Sequence, residues 1–428
     1  MIRITSTVPV MLPPVLEIYV VWHPDDEANA RPIAQSIIDH YHGDQFSGLI
    51  GGAVEVYVRS AGWHGTGSEP RPIPFPGNPG PPQPAAFVAV IALLGNGLAR
   101  SLLKDASDPW HSWLAAVKQS VDAMPTKNCL HAYALDPAAP TSVPLAPLFA
   151  AHQLLAAKDP LHSPNETMLL RDLSQTLAQF LEGNCQPIQV FVSHTKHMDD
   201  LSETATKAFI SLVREEISQS RLAEFFDSHS IQAGEKWAKV LEVNAAQGAM
   251  LSLRTDRYAG REWCHREVVT AKIHGVPVVA IDALMHGDSR GSFVMDHMPR
   301  VPASRSGVNW DRQAIRKALV LLVDECLKRA LWRQQERLAG TAVGVAWWAP
   351  HAPEPLTLAK WLKGNKPGGR SPIIVLHPDP PLTPCEREII DNIATLAGCK
   401  DRLEVLTPRT FAARSNAVPV RRKGRGRA

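Results

Sequence analysis

The middle of the chain alternates short apolar segments with longer segments of helical periodicity. Four apolar segments have the length of strands and are too short to be buried helices: 189–193, 223–227, 249–253 and 276–281. Apolar residues at helical spacing lie between them, over 198–217, 236–246 and 263–274. Strands without a polar face must be buried on both sides, which requires a parallel sheet covered by helices. The sequence therefore predicts an α/β fold built from strand–helix–strand units.

The first third of the chain shows the same alternation of strand-length apolar segments and helical segments. Strands are expected at 17–22, 54–58, 87–93 and 130–135, and helices at 28–41 and 110–121. Residues 65–84 are so rich in proline and glycine that they predict an irregular loop. The two regions are typical of a divergent internal repeat. Chance similarity between two unrelated α/β modules is the alternative.

The remaining segments suggest the domain organisation. A connecting helix (301–340) precedes a small C-terminal α/β unit (341–415), in which Thr383, Pro384 and Glu386 form a helix-start signature. Residues 416–428 form a basic tail that we expect to be disordered, with nucleic-acid contact as the less favoured alternative. The predicted domains are 1–140, a linker with a helix at 141–185, and 186–300, followed by the connecting helix, the small unit and the tail.

Composition argues against several classes of protein. The formal net charge is +3 over 428 residues, so no global basic field indicates binding to nucleic acid or a membrane surface. The 6 cysteines form no C-x-x-C pair, which argues against a disulfide framework or a cysteine-rich zinc site. Neither an apolar run of membrane-spanning length nor a secretory leader is evident. We therefore expect a soluble, cytoplasmic protein with no membrane partner.

The candidate site centres on Trp263-Cys264-His265-Arg266-Glu267. Trp263 and Glu267 lie four residues apart and share one helical face. This spacing alone is weak, because it usually means a core tryptophan beside a solvated glutamate. Further motifs precede it in order: Ser193-His194 after a strand, the pair Asp199-Asp200, Phe226-Asp227, Ile231-x-x-Gly234-x-x-Trp237, and Arg257-Tyr258.

Taken together, these motifs resemble Toll/interleukin-receptor (TIR) domains over about residues 186–300. The resemblance implies a flavodoxin-like parallel sheet and, as in many bacterial members, cleavage of NAD as substrate without a further cofactor or metal. It places Glu267 at the catalytic position and a substrate pocket at Phe191, Ser193, His194, Asp227, Ile231 and Trp263. It further implies self-association, a regulated antiphage defence role and an activating partner or signal. The third strand departs from the family pattern, because it lacks a serine just before the Tyr258 loop.

One carboxylate is sufficient for this chemistry. The nicotinamide of NAD leaves as a neutral base from a cationic N-glycosidic bond, so no general acid is required. Positive charge develops on the ribose, and a nearby anion stabilises it. Water would give ADP-ribose, whereas attack by the substrate's own adenine or ribose would give a cyclic isomer.

The first region carries a matching segment, Trp110-His111-Ser112-Trp113-Leu114. The aromatic residue is kept, but Leu114 takes the place of Glu267. If the repeat is real, this copy is a catalytically dead, TIR-like domain.

Two other hypotheses remain open. A scaffold that uses TIR-like domains only for assembly and signalling would also keep the aromatic core. His23-Pro24-Asp25-Asp26 resembles the turn of zinc-dependent LmbE-like deacetylases, for which His194-x-x-His197 is the only plausible partner motif. The alternative for Asp25, Asp26 and Glu27 is an acidic helix start favoured by the helix dipole.

Overall fold

The computed structural model describes residues 15–47, 54–61, 70–77, 83–104, 108–149, 154–155, 166–195, 200–225, 248–287, 291–307, 309–340, 344–365 and 371–416. They form two compact units, and we describe each by itself. The first unit comprises residues 15–46 and 54–331 and holds two parallel sheets. The second unit comprises Ser47 and the described residues from Trp332 onward, and it holds a third sheet.

The first sheet is built from the N-terminal region, which we call the first module (residues 15–149). Its strands are β1 (Leu16–Val21), β2 (Val54–Arg59), β3 (Phe87–Leu94) and β4 (Asn128–Ala134). They pair in the order β2-β1-β3-β4, and every pair is parallel. The helices are α1 (Glu27–His42), α2 (Asp44–Ser47), α3 (Asn96–Leu103), α4 (Pro109–Ala123) and α5 (Ala146–Phe149). Helix α6 (Glu166–Glu182) follows in the predicted linker.

The second sheet belongs to the central region, which we call the second module (residues 188–310). Its strands are β5 (Gln189–Ser193), β6 (Ala223–Phe225), β7 (Gly248–Arg254), β8 (Val278–Asp282) and β9 (Arg300–Pro302). They pair in the order β6-β5-β7-β8-β9, again all parallel. Helices α7 (Asp200–Ser218) and α8 (Glu262–Ile273) connect strands of this sheet. A short antiparallel hairpin of β10 (Arg305–Ser306) and β11 (Asn309–Trp310) follows the sheet, and helix α9 (Arg312–Ala339) comes next in the chain.

Burial explains why the strands read as continuous apolar runs. All residues of β3 and of β7 are buried, so neither strand has a solvent face that would select alternating polar residues. The strand order of the second module is the flavodoxin-like order 2-1-3-4-5, and the first module has the same order over its four strands. The predicted flavodoxin-like α/β class is confirmed. The predicted helix at 236–246 lies outside the described residues.

The third sheet is small and parallel, with the order β12 (Val345–Trp348), β13 (Ile373–Leu376) and β14 (Leu403–Leu406). Its helices are α10 (Pro355–Asn365), α11 (Pro384–Leu396) and α12 (Pro408–Asn416). The predicted start of α11 is confirmed: the Thr383 hydroxyl accepts from the Glu386 backbone N–H, and the Glu386 carboxylate accepts from the Thr383 N–H. Within the residues that the structure describes, no helix is long and apolar enough to cross a membrane.

Candidate functional site

Glu267 is buried in the second turn of helix α8, which follows the third strand of the second module. It is the sixth residue of that helix, and only 4% of its surface is exposed. The alternative interpretation of the Trp263–Glu267 spacing was a core tryptophan beside a solvated glutamate. It is wrong for Glu267, which is buried. Trp263, the second residue of the same helix, is only half-buried.

The Glu267 carboxylate belongs to a chain of three hydrogen-bonded side chains. The Ser193 hydroxyl lies 2.5 Å from Oε2 of Glu267, and the Tyr258 hydroxyl lies 2.6 Å from Oγ of Ser193. Ser193 donates its only hydroxyl proton to Glu267, so the Tyr258 hydroxyl donates to Ser193. Both Ser193 and Tyr258 are completely buried.

Burial keeps the hydroxyl and thiol groups beside Glu267 protonated. It raises the pKa of Tyr258 far above its usual value, and the acidic groups of Cys264 and Glu267 nearby add to the increase. Burial likewise raises the pKa of the Cys264 thiol to about 12, with the Glu267 carboxylate as the second cause. At neutral pH Tyr258 is therefore a hydrogen-bond donor, and Cys264 is an unreactive thiol.

Further polar residues occupy the carboxyl ends of the neighbouring strands. Arg254 and Asp282, the last residues of β7 and β8, are register partners and form an ion pair of 3.0 Å between Nη1 and Oδ1. The hydroxyls of Thr195 and Thr255 lie 3.2 Å apart. This is the edge at which open α/β sheets bind ligands. The sequence-based prediction left these residues out, although their position just at or after strand ends was a usable signal.

The predicted pocket residues have different environments. Phe191 is half-buried and packs against the apolar cluster that contains Tyr258 and Cys264. His194 is half-buried too, and its Nδ1 lies 3.1 Å from the Thr195 carbonyl oxygen. Asp227 and Ile231 lie outside the described residues. The structure therefore brings Ser193 to Glu267 and places Phe191 and His194 on the same strand and its following loop.

The first module has apolar residues at the positions that match Glu267, Ser193, Ser252, Arg254 and Asp282, which we call the polar set. Trp110 and Leu114 are the second and sixth residues of α4, as Trp263 and Glu267 are of α8. Leu114 is buried in an apolar cluster with Trp110, Trp113 and Val117. When the two sheets are aligned at the ends of their third and fourth strands, Val21 matches Ser193, Ala92 matches Ser252, Leu94 matches Arg254 and Ala134 matches Asp282. The polar set is thus a property of the second module.

The turn at His23–Asp26 has a structural role. The Asp26 carboxylate accepts hydrogen bonds from the backbone N–H groups of Gly97 (2.8 Å) and Leu98 (3.0 Å), which begin helix α3. Gly95 is needed nearby, because a Cβ there would collide with that carboxylate. Asp26 therefore caps a helix other than its own, which accounts for the acidic turn by the helix-terminus effect.

Nothing in the described part of the chain extends this turn into a metal site. His23 Nδ1 accepts from the Asp25 backbone N–H (3.1 Å), and the His23 ring packs against Trp110 with 5.1 Å between ring centroids. His197, the second histidine of the required partner motif, lies outside the described residues. Among the residues that are described, no group of three or more His, Cys, Asp or Glu side chains is placed to hold a metal ion.

No protein-family model matches this chain, and no curated protein matches its sequence. The resemblance to TIR domains therefore stays a prediction based on the motif residues.

Proposed function

We propose that the second module is a TIR-type NAD glycohydrolase in which Glu267 is the catalytic carboxylate. The observation that carries this proposal is the position of Glu267: a carboxylate in the second turn of the helix after the third strand, beside the carboxyl edge of a flavodoxin-like sheet. In open α/β folds that edge is where nucleotides bind.

The chemistry requires an anion close to the ribose. As nicotinamide departs, positive charge spreads over the ribose C1′ and ring oxygen, and a carboxylate fixed beside it stabilises the transition state more than the ground state. Water then adds to give ADP-ribose, or an internal nucleophile of the substrate gives a cyclic product. The half-buried Trp263 lies four residues before Glu267, and the half-buried Phe191 lies two residues before Ser193. In this proposal their aromatic surfaces contact the nicotinamide and its ribose. Asp227 and Ile231 are proposed for the same pocket.

In the wider proposal, this activity is regulated. Unrestrained NAD cleavage would kill the host cell, so a defence effector must be switched on by a partner, a signal or self-association. The C-terminal unit and the first module, which lacks the polar set, are candidates for that control.

A non-catalytic assembly scaffold is the second candidate. One observation favours it: Glu267 is buried and hydrogen-bonded within the module, so its charge is accommodated without any substrate. A scaffold predicts that the purified chain never consumes NAD under any condition of concentration or activation.

The decisive experiment measures NAD consumption and products by mass spectrometry with Glu267→Gln, which keeps the shape of the side chain and removes its charge. We expect a loss of at least about 100-fold, the scale seen when a transition-state stabiliser is removed. Glu262→Gln is the matched control, because Glu262 is an exposed residue of the same helix that pairs only with Arg266 among the described residues. Leu114→Met in the first module should also leave activity intact. Residual wild-type activity in purified Glu267→Gln protein contradicts the proposal.

A further inference from the structure

Three structural elements meet through the side chains of Tyr258, Ser193 and Glu267. Ser193 ends strand β5, Tyr258 begins a short 3-10 helix (Tyr258–Gly260) after β7, and Glu267 lies on α8. The residues are separated by 65 positions from Ser193 to Tyr258 and by 74 from Ser193 to Glu267. The hydrogen bonds therefore join elements that the sequence keeps far apart.

This arrangement has a consequence for access to the acid. With 4% of its surface exposed, Glu267 cannot touch a ribose in this conformation. The Oε2 atom is already bonded to a hydroxyl that is itself held by Tyr258. For a substrate hydroxyl to reach the carboxylate, the Glu267 side chain must leave its buried position, and this movement breaks the hydrogen bond from Ser193.

We propose that Ser193 and Tyr258 are positioning residues that hold Glu267 inward, and that the site becomes competent when the hydrogen bond from Ser193 to Glu267 is released. This inference rests on the proposed function. It changes the predicted role of Ser193 from a contact of the substrate to a contact of the acid. No covalent step is involved: Ser193 keeps its proton, and only the hydrogen bond is exchanged.

The chain offers a reporter of this opening that does not depend on catalysis. Cys264 lies three residues before Glu267 on α8, has 2% of its surface exposed and packs in the same cluster as Tyr258. A thiol reagent reaches it only when the start of α8 opens. Cys326 is an internal control, because it is also buried, is a free thiol and belongs to the same compact unit on helix α9.

The experiment follows iodoacetamide labelling of each cysteine in the full chain by peptide mass spectrometry, for wild type, Ser193→Ala, Ser193→Thr and Tyr258→Phe. Loss of a buried hydrogen bond to a charged group increases an open population by about tenfold or more. We expect Ser193→Ala to raise the Cys264 labelling rate by at least that factor while Cys326 is unchanged. Ser193→Thr, which keeps the hydroxyl, restores slow labelling, and Tyr258→Phe gives an intermediate rate.

NAD cleavage measured on the same samples separates the two proposals. We expect Ser193→Ala to cleave NAD faster than wild type without an activator. Unchanged Cys264 labelling in Ser193→Ala, or equal acceleration at Cys264 and Cys326, overturns the positioning role even if Glu267→Gln abolishes activity. Faster Cys264 labelling in a chain that never cleaves NAD supports the positioning of Glu267 and overturns the catalytic proposal.

Discussion

Exchanging the residue types at positions 114 and 267 tests whether these positions are equivalent in helices α4 and α8, with an apolar environment at 114 and a polar one at 267. In Leu114→Glu, a carboxylate enters a position that is 2% exposed and surrounded by Trp110, Trp113 and Val117. In Glu267→Leu, a buried charge is removed, and the Ser193 hydroxyl keeps its bond to Tyr258. The two variants should therefore differ strongly in stability.

The magnitudes follow from burial and partners. Leu114→Glu loses about 1.5–3 kcal/mol of apolar transfer free energy. The new carboxyl must either stay charged without a partner or protonate, which at pH 7 costs about 1.36 kcal/mol for each of nearly three pKa units. We expect a loss of at least about 4 kcal/mol. Glu267→Leu loses a charge-assisted hydrogen bond of about 1.5–3 kcal/mol but also loses the desolvation penalty of the charge, so we expect a change within about 2 kcal/mol.

The assay is urea unfolding followed by far-UV circular dichroism, with the change in midpoint multiplied by the wild-type slope. Ala115→Glu is the matched control, because Ala115 is the exposed neighbour of Leu114 on the same helix and its substitution should cost less than about 0.5 kcal/mol. If Leu114→Glu is as stable as Ala115→Glu, position 114 is not a core position. The proposed equivalence of α4 and α8 is then wrong.

Two further predictions concern a cap and a titrating thiol. Asp26→Ala removes the acceptor of two backbone N–H groups at the start of α3 and should lower the free energy of unfolding by about 0.5–2 kcal/mol. Asp25→Ala, at an exposed position, should change it little, and equal effects of the two substitutions in urea melts would contradict the capping role. Because burial raises the pKa of Cys264 to about 12, the neutral thiol contributes to stability below the unfolded pKa near 9, and this contribution is lost as pH rises towards 12. Between pH 9 and 11, the free energy of unfolding of wild type should fall by up to about 2.7 kcal/mol more than that of Cys264→Ala. Parallel pH profiles for the two proteins would refute this.

Local signals predicted most of the regular structure. The apolar runs that gave β3 and β7 are buried along their whole length, and the Thr383 signature gave the start of α11. Helix α3 was missed, because it is short and its first turn is capped by Asp26, about 70 residues earlier in the chain. A local pattern cannot contain a partner at that distance.

The candidate site was predicted only in part. Glu267 was singled out by its spacing from Trp263, but a spacing of four residues is equally compatible with an exposed acid and a buried one. Tyr258 was noted only as part of a motif, and Arg254 and Asp282 were not considered. Their roles depend on which strands are neighbours, and parallel neighbours are joined by long crossovers that leave no mark in the sequence between them.

The sequence alone determined the fold class, because strands buried on both faces must be apolar throughout and the helices that cover them carry their own periodicity. It also determined which helix carries the acid. Tertiary structure alone decided that β5 lies beside β7, that Ser193 therefore meets both Tyr258 and Glu267, and that the acid is buried. The physical reason is that a buried carboxylate needs a hydrogen-bond donor. Here Ser193, 74 residues before Glu267 in the chain, donates to it, and Tyr258, 65 residues after Ser193, holds the Ser193 hydroxyl.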